Sequence, residues 1–259
     1  MTMSVLMMVL KGPMQSWGSS SRFTRRETEM MPTKSGVIGM IAAALGVGRT
    51  ESLSRFRGLR FGVRADQPGT VLSDYHTAMD EHGKMLPLST RFYIQDAVFV
   101  VGVEGDRDSL ENYAQALHTP FYQLFLGRRS CPPAGPIETW ITEGSLESAL
   151  SNAPWKAADW YRRRVLNTQD GRPFLEMRIE PTVEESTESG VLETLADEPV
   201  NFNPERRQWK LRRYRRSYEA TPGLSANSSR GDAAVPTGSG ELSNLNDADF
   251  FDAVRQEVE

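Results

Sequence analysis

The chain has 259 residues, 39% hydrophobic and 25% charged, with a formal net charge of −4 at pH 7. That length and composition fit one large globular domain or two small ones. A single cysteine and three histidines exclude an internal disulfide and a multi-cysteine zinc site, so no metal or other cofactor is expected.

The first segment, MTMSVLMMVLKGP, lacks a basic leader and a small-residue cleavage site. No stretch approaches the roughly 18–20 apolar residues of a membrane span. A soluble, cytoplasmic protein is expected. Residues 3–10 are a continuous apolar run closed by Gly12-Pro13, which predicts a buried strand. Residues 32–48 predict a helix capped by Thr33 or Ser35 and ended by Gly46 or Gly48. Strands follow at 59–65 and 96–105. Residues 106–119 place Leu110, Tyr113, Ala114 and Leu117 at helical spacing, and 136–142 predict a fourth strand.

This order is β-α-β-β-α-β with a long insertion between the second and third strands. It predicts an α+β fold, a ferredoxin-like (RRM-like) body over 1–142. The two helices would share one face of the sheet and leave the other free as an RNA platform. Residues 143–222 read as a smaller, mostly β extension. It has a short helix near SLESALSNA and strands at 174–180 and 209–219, with an acidic loop between those strands. Residues 223–259 read as a flexible acidic tail.

The charge is segregated. Arginines cluster at 21–27, 127–130, 155–164 and 205–218, and acids gather at 181–198 and 241–259. Arginine beside Trp209, Tyr214 and Tyr218 offers phosphate contacts next to stacking faces. The competing reading pairs these arginines with the acidic loop.

Four short stretches carry candidate chemistry. In KGPMQSWG (11–18), Gln15 and Trp17 either face a base or, for Trp17, pack into the core. In PTKSGVIG (32–39), Thr33, Lys34 and Ser35 either present a helix start to phosphate or only cap it. In DYHT (74–77), Tyr75 and His76 are candidate acid and base, but neighbours on a strand point to opposite faces. In GRRSCP (127–132), Gly127 permits close approach and Arg128 and Arg129 suit phosphate oxygens. Cys131 lacks an identifiable base and reads as turn packing.

LKGPMQSWG, PTKSGVIGMIAAALG, LSDYHTA and YQLFLGRRSCP occur in this order across residues 4–140. Together they resemble the CasD subunits of type I-E CRISPR Cascade, within the RAMP group. The resemblance implies a ferredoxin-like body that holds the 5′ handle of the CRISPR RNA (crRNA) without cutting it. It implies the repeated backbone subunit CasC and the large subunit CasA as partners. It also implies an inserted thumb, here near 77–90, that meets the guide–target DNA duplex and flips a nucleotide from the pairing register. Carried over residue by residue, the handle contacts are Gly127, Arg128, Arg129 and Ser130. Lys11, Gln15, Trp17, Thr33, Lys34 and Ser35 form the turn and helix start, and Tyr75 and His76 stand at the base of the thumb. Arg22, Arg25 and Arg26 join them on charge alone. Two rivals stay open. One is a metal-independent endoribonuclease processing repeat RNA with Tyr75, His76 and Lys11 or Lys84. The other is an unrelated nucleic-acid-binding domain.

Overall fold

The computed structural model describes residues 3–19, 24–168, 173–182 and 191–222. Arg22 and the acidic tail expected over 223–259 lie outside the described residues. β1 (Ser4–Lys11) opens the chain, followed by two short strands, β2 (Met14–Gln15) and β3 (Arg25–Arg26), and helix α1 (Lys34–Ala44). Next come β4 (Arg60–Gln67), β5 (Thr70–His76), β6 (Ser89–Gln95) and β7 (Val98–Gly105), then α2 (Arg107–His118) and β8 (Glu138–Glu143). Helices α3 (Leu146–Asn152) and α4 (Asp159–Thr168) precede β9 (Phe174–Ile179), β10 (Glu193–Asn201) and β11 (Gln208–Ala220).

One sheet of seven strands runs β10-β11-β9-β4-β7-β1-β8, with every neighbouring pair antiparallel. The chain is thus mixed α+β and mostly sheet. No described helix is long and apolar enough to cross a membrane.

β1 is an unbroken apolar run because both of its faces are buried. Leu6, Met8 and Leu10 join a core with Val37, Ile38 and Ile41 of α1 and Leu110, Tyr113 and Leu117 of α2. Val5 and Met7 point the other way, into a second core with Val100, Met177, Ile179 and Leu146 and Leu150 of α3. Each such fully buried aliphatic side chain contributes about 1.5–3 kcal/mol. The free sheet face expected from the sequence is therefore covered by α3. Two glycines allow the close approach. A Cβ on Gly62 would lie 2.7 Å from Leu150 Cδ1, and one on Gly102 2.6 Å from Leu146 Cδ1. Arg64, fully buried on β4, pairs with buried Asp66 and donates to the carbonyls of Leu150, Ala153 and Pro154, closing the end of α3.

The insertion forms a hairpin of its own. β5 pairs β6 from Thr70–Gln95 to His76–Ser89, and β2 and β3 pair along β6 in a second, small sheet. Met79, Met85, Leu86 and Leu88 stand exposed around its tip.

One further expectation needs correction. The acidic stretch expected as loop holds β10, antiparallel to β11. Its acids do not repel the ladder because the partner strand answers them: Glu193 meets Tyr214 and Arg216, and Asp197 meets Arg212. The basic stretch at 155–164 contributes a helix, α4, anchored by Tyr161 and Val165 against Trp155 and Leu175.

Candidate nucleic-acid groove

Three of the four motif stretches lock together at one end of the sheet. The turn after β1 and the loop after α2 exchange backbone bonds: Ser16 N–H donates to Leu126 O at 3.1 Å, and Ala134 N–H to Lys11 O at 3.0 Å. Leu126 N–H donates to Cys131 O at 2.7 Å and Cys131 N–H to Arg128 O at 2.9 Å, closing the GRRS loop on itself. Gly127 sits at φ +88°, where only a residue without Cβ fits against the Ser16 carbonyl. Upstream in the same loop, Phe121 and Tyr122 N–H groups donate to Ala44 and Ala43 carbonyls at the end of α1.

The two arginines of that loop differ. Arg128 is spent inside the protein. Its guanidinium donates to Phe92 O (2.9 Å), Arg26 O (2.6 Å) and Glu27 O (3.0 Å) and stacks 4.9 Å over Tyr93. It thereby ties β3 and β6 to the loop, and partial burial lowers its pKa below the ordinary arginine value. Arg129 is exposed and has no partner among the described residues. Ser130 is exposed, with its hydroxyl 3.4 Å from Tyr93 Oη.

The start of α1 is closed as well. Thr33 Oγ1 accepts from Gly36 N–H at 3.3 Å, and Asp197 of β10 accepts from Lys34 N–H at 2.8 Å. Lys34 Nζ lies 3.0 Å from Glu180 and 2.6 Å from Glu198. The anion at this helix N-terminus is thus the protein's own carboxylate, and the Lys34 side chain does not reach solvent. Gln15 and Trp17 are likewise turned inward, both 0% exposed. Trp17 Nε1 donates to Gln15 Oε1 at 3.1 Å, and Gln15 Nε2 donates to Ala97 O at 2.9 Å. Trp17 packs under Gly36, where a Cβ would lie 2.7 Å from its ring.

Above this frame lies a groove of about 950 Å³. Thr33, Ser35, Gly36 and Gly39 of the α1 region form its floor, the GRRS loop one rim, and the turn between β10 and β11 another. Besides the engaged Arg128, four arginines line it: Arg26, Arg49, Arg129 and Arg207. All four are exposed, and none has a carboxylate partner among the described residues. Tyr122, Phe125, Phe202 and Trp209 line it too. Cationic forks beside aromatic side chains are the equipment for a single-stranded nucleic acid. Of this set, Arg26, Arg129, Thr33 and Ser35 were expected from the sequence. Arg207 and Trp209 lie in the 205–218 run read as offering phosphate contacts beside stacking faces, whereas Arg49, Tyr122, Phe125 and Phe202 were not singled out. Phe125 and Tyr122 lay inside a quoted motif without being singled out, and Arg49 just past the helix-ending glycines.

The remaining candidates stand elsewhere. Arg25 pairs with Glu27 at 2.9 Å and lies 5.0 Å over the Phe92 ring. Lys11 is exposed at the end of β1. On β5, Tyr75 is exposed on one side, while His76 Nε2 on the other contacts Asp74 at 2.5 Å. Among the described residues no group of histidine, cysteine or carboxylate side chains could hold a metal.

The model of the family described as CRISPR-associated protein (Cas_Cas5) matches residues 5–215. The chain is 33% identical over 155 residues to the CRISPR system Cascade subunit CasD of Escherichia coli (strain K12), covering 52% of this chain and 69% of that protein. A solved CRISPR RNA-guided surveillance complex contains a chain with 29% identity and a TM-score of 0.65, covering 85% of this chain and 91% of its own. A crystal structure of a Cas protein matches at 33% identity and a TM-score of 0.62, over 84% and 97% of the two chains. The chain is therefore a CasD-like member of the Cas5 family of CRISPR-associated proteins.

Proposed function

We propose that this chain is the non-catalytic, RNA-binding subunit of a type I-E CRISPR Cascade surveillance complex, and that its groove holds the 5′ handle of the crRNA. The observation that carries this is the ring of four exposed guanidinium groups, Arg26, Arg49, Arg129 and Arg207, around an aromatic-lined groove, with no carboxylate partner among the described residues. Arg128, Gln15, Trp17 and Lys34 then act as frame, Thr33 and Ser35 as floor, and Gly127 as part of the rim, with Ser130 next to it in the loop. The strand order β8-β1-β7-β4, with α1 after β1 and α2 after β7, supports a ferredoxin-like body over 1–142, extended by the β-rich 143–222. The β5–β6 hairpin is the thumb that meets the guide–target duplex, with Tyr75 and His76 near the end of β5, Arg25 beside Thr90 at that same end of the ladder, and Lys11 near its root. CasC and CasA are the neighbouring subunits, and target DNA is the further ligand.

An endoribonuclease would need Tyr75, His76 and a lysine at one scissile phosphate. The alternation of β5 weighs against that, since it turns Tyr75 and His76 to opposite sides. The test is incubation of full-length protein with repeat RNA in the presence of a chelator, alongside a titration with handle RNA. Tight handle binding with intact RNA is expected; site-specific cuts would overturn the non-catalytic reading.

A further inference from the structure

The basic run from Arg206 to Arg216 divides into two sets. Along β11, Arg212, Tyr214 and Arg216 share one side. Arg212 is held by Asp197 at 2.7 Å, and Arg216 by Glu193 at 3.0 Å and Glu176 at 3.5 Å. The other side carries Trp209, Leu211 and Arg213, with Trp209 41% and Leu211 72% exposed. Arg206 and Arg207 stand exposed in the turn ahead of the strand.

Arg206, Arg207, Lys210 and Arg213 are all exposed, and none has an ion-pair partner among the described residues. Lys210 belongs to the other side of the strand, with Arg212, across the ladder from Glu198. Glu205 is the one acid among the exposed residues of this turn and half-strand. Trp209, Leu211 and Arg213 are exposed, so no described helix covers this side of β11 there. Arg207 and Trp209 also line the groove, so the two surfaces share a border.

We propose that this side of β11 and its leading turn form a second nucleic-acid contact, which carries a phosphate backbone out of the groove for about 20 Å at ~3.3 Å per residue. It rests on the RNA-binding reading of the groove. Guanidinium forks take the phosphates, and Trp209 and Leu211 give apolar surface to the bases. Such a contact reads backbone and not sequence.

The test uses the full-length chain, fluorescein-labelled single-stranded RNAs of about 6 and about 20 nucleotides, and a duplex DNA of the longer length, titrated over a salt series. The double variant Arg206→Ala, Arg213→Ala leaves the short RNA unchanged. It weakens the long one and reduces its salt slope by about 1.4, at ~0.7 per single-strand phosphate contact. An unchanged slope on both long ligands overturns the proposal, as does a defect seen only in joining other subunits. Loss confined to RNA or to DNA supports it and names the strand. The groove variant Arg49→Ala, Arg129→Ala weakens both RNAs. If that variant binds as wild type while the β11 variant loses the long ligand, the groove reading fails and the β11 contact stands.

Discussion

Gly127 and Ser16, 111 positions apart in the chain, meet so closely that a methyl group on Gly127 would overlap the Ser16 carbonyl oxygen. Gly127 also holds φ +88°, a backbone state that L side chains rarely adopt. The contact joins the turn after β1 to the loop that offers Arg129 to the groove. Gly127→Ala must therefore move backbone on one side or the other. A loss of about 1–3 kcal/mol is expected, read as a lower urea midpoint at constant m-value. A midpoint equal to wild type would mean the loop has slack that the geometry does not have.

Arg128 and Arg129 separate stability from affinity. Arg128→Ala strips donors from three backbone carbonyls and loosens β3 and β6 from the loop, at a cost of about 1–3 kcal/mol. Arg129→Ala leaves the midpoint within ~0.5 kcal/mol, as for an exposed side chain without partners. It weakens handle RNA and lowers the salt slope by about 0.7. Unfolding and binding curves on both variants check this. The reverse pattern would put Arg128 on the RNA.

That division shows what the sequence could carry. β1 was legible because burial on both faces writes itself as consecutive apolar residues, and α2 because one buried stripe recurs at helical spacing. The position of the GRRS loop was legible from its glycine and prolines. Which arginine it frees was not, because that depends on carbonyls of Phe92, Arg26 and Glu27 elsewhere in the chain. The same holds for Lys34, which resembles a phosphate ligand until Glu180 and Glu198 arrive from 146 and 164 residues downstream. β10 was hidden for a related reason. A strand whose charges are matched across the ladder looks locally like a solvated loop.

Asp197 closes the start of α1 and holds Arg212 with both oxygens at 2.7 Å, in surroundings where Asp197 itself is 0% exposed. Asp197→Ala leaves the buried Arg212 guanidinium with only the longer 3.5 Å contact to Glu180, and an uncapped helix N–H. A loss of about 3–5 kcal/mol is expected. Glu219→Ala, an exposed change on the neighbouring strand, should stay within ~0.5 kcal/mol. Thermal and urea unfolding of the two variants decide it. Equal stabilities would mean that the β10–β11 hairpin is not held to the body through this joint.

Cys131 tests the reading that the GRRS loop acts through cations and not through its thiol. The side chain is fully buried, and burial pushes the thiol pKa above its ordinary value despite the nearby Arg128. The thiolate is the reactive form, so a raised pKa leaves less of it at every pH below that value. Burial also denies a reagent access. Iodoacetamide at pH 8 should therefore modify the native chain far more slowly than the chain in urea, and Cys131→Ala should bind handle RNA like wild type. Rapid labelling of folded protein, with RNA binding lost in the alanine variant, would return the thiol to the site and take the loop's chemistry away from Arg129 alone.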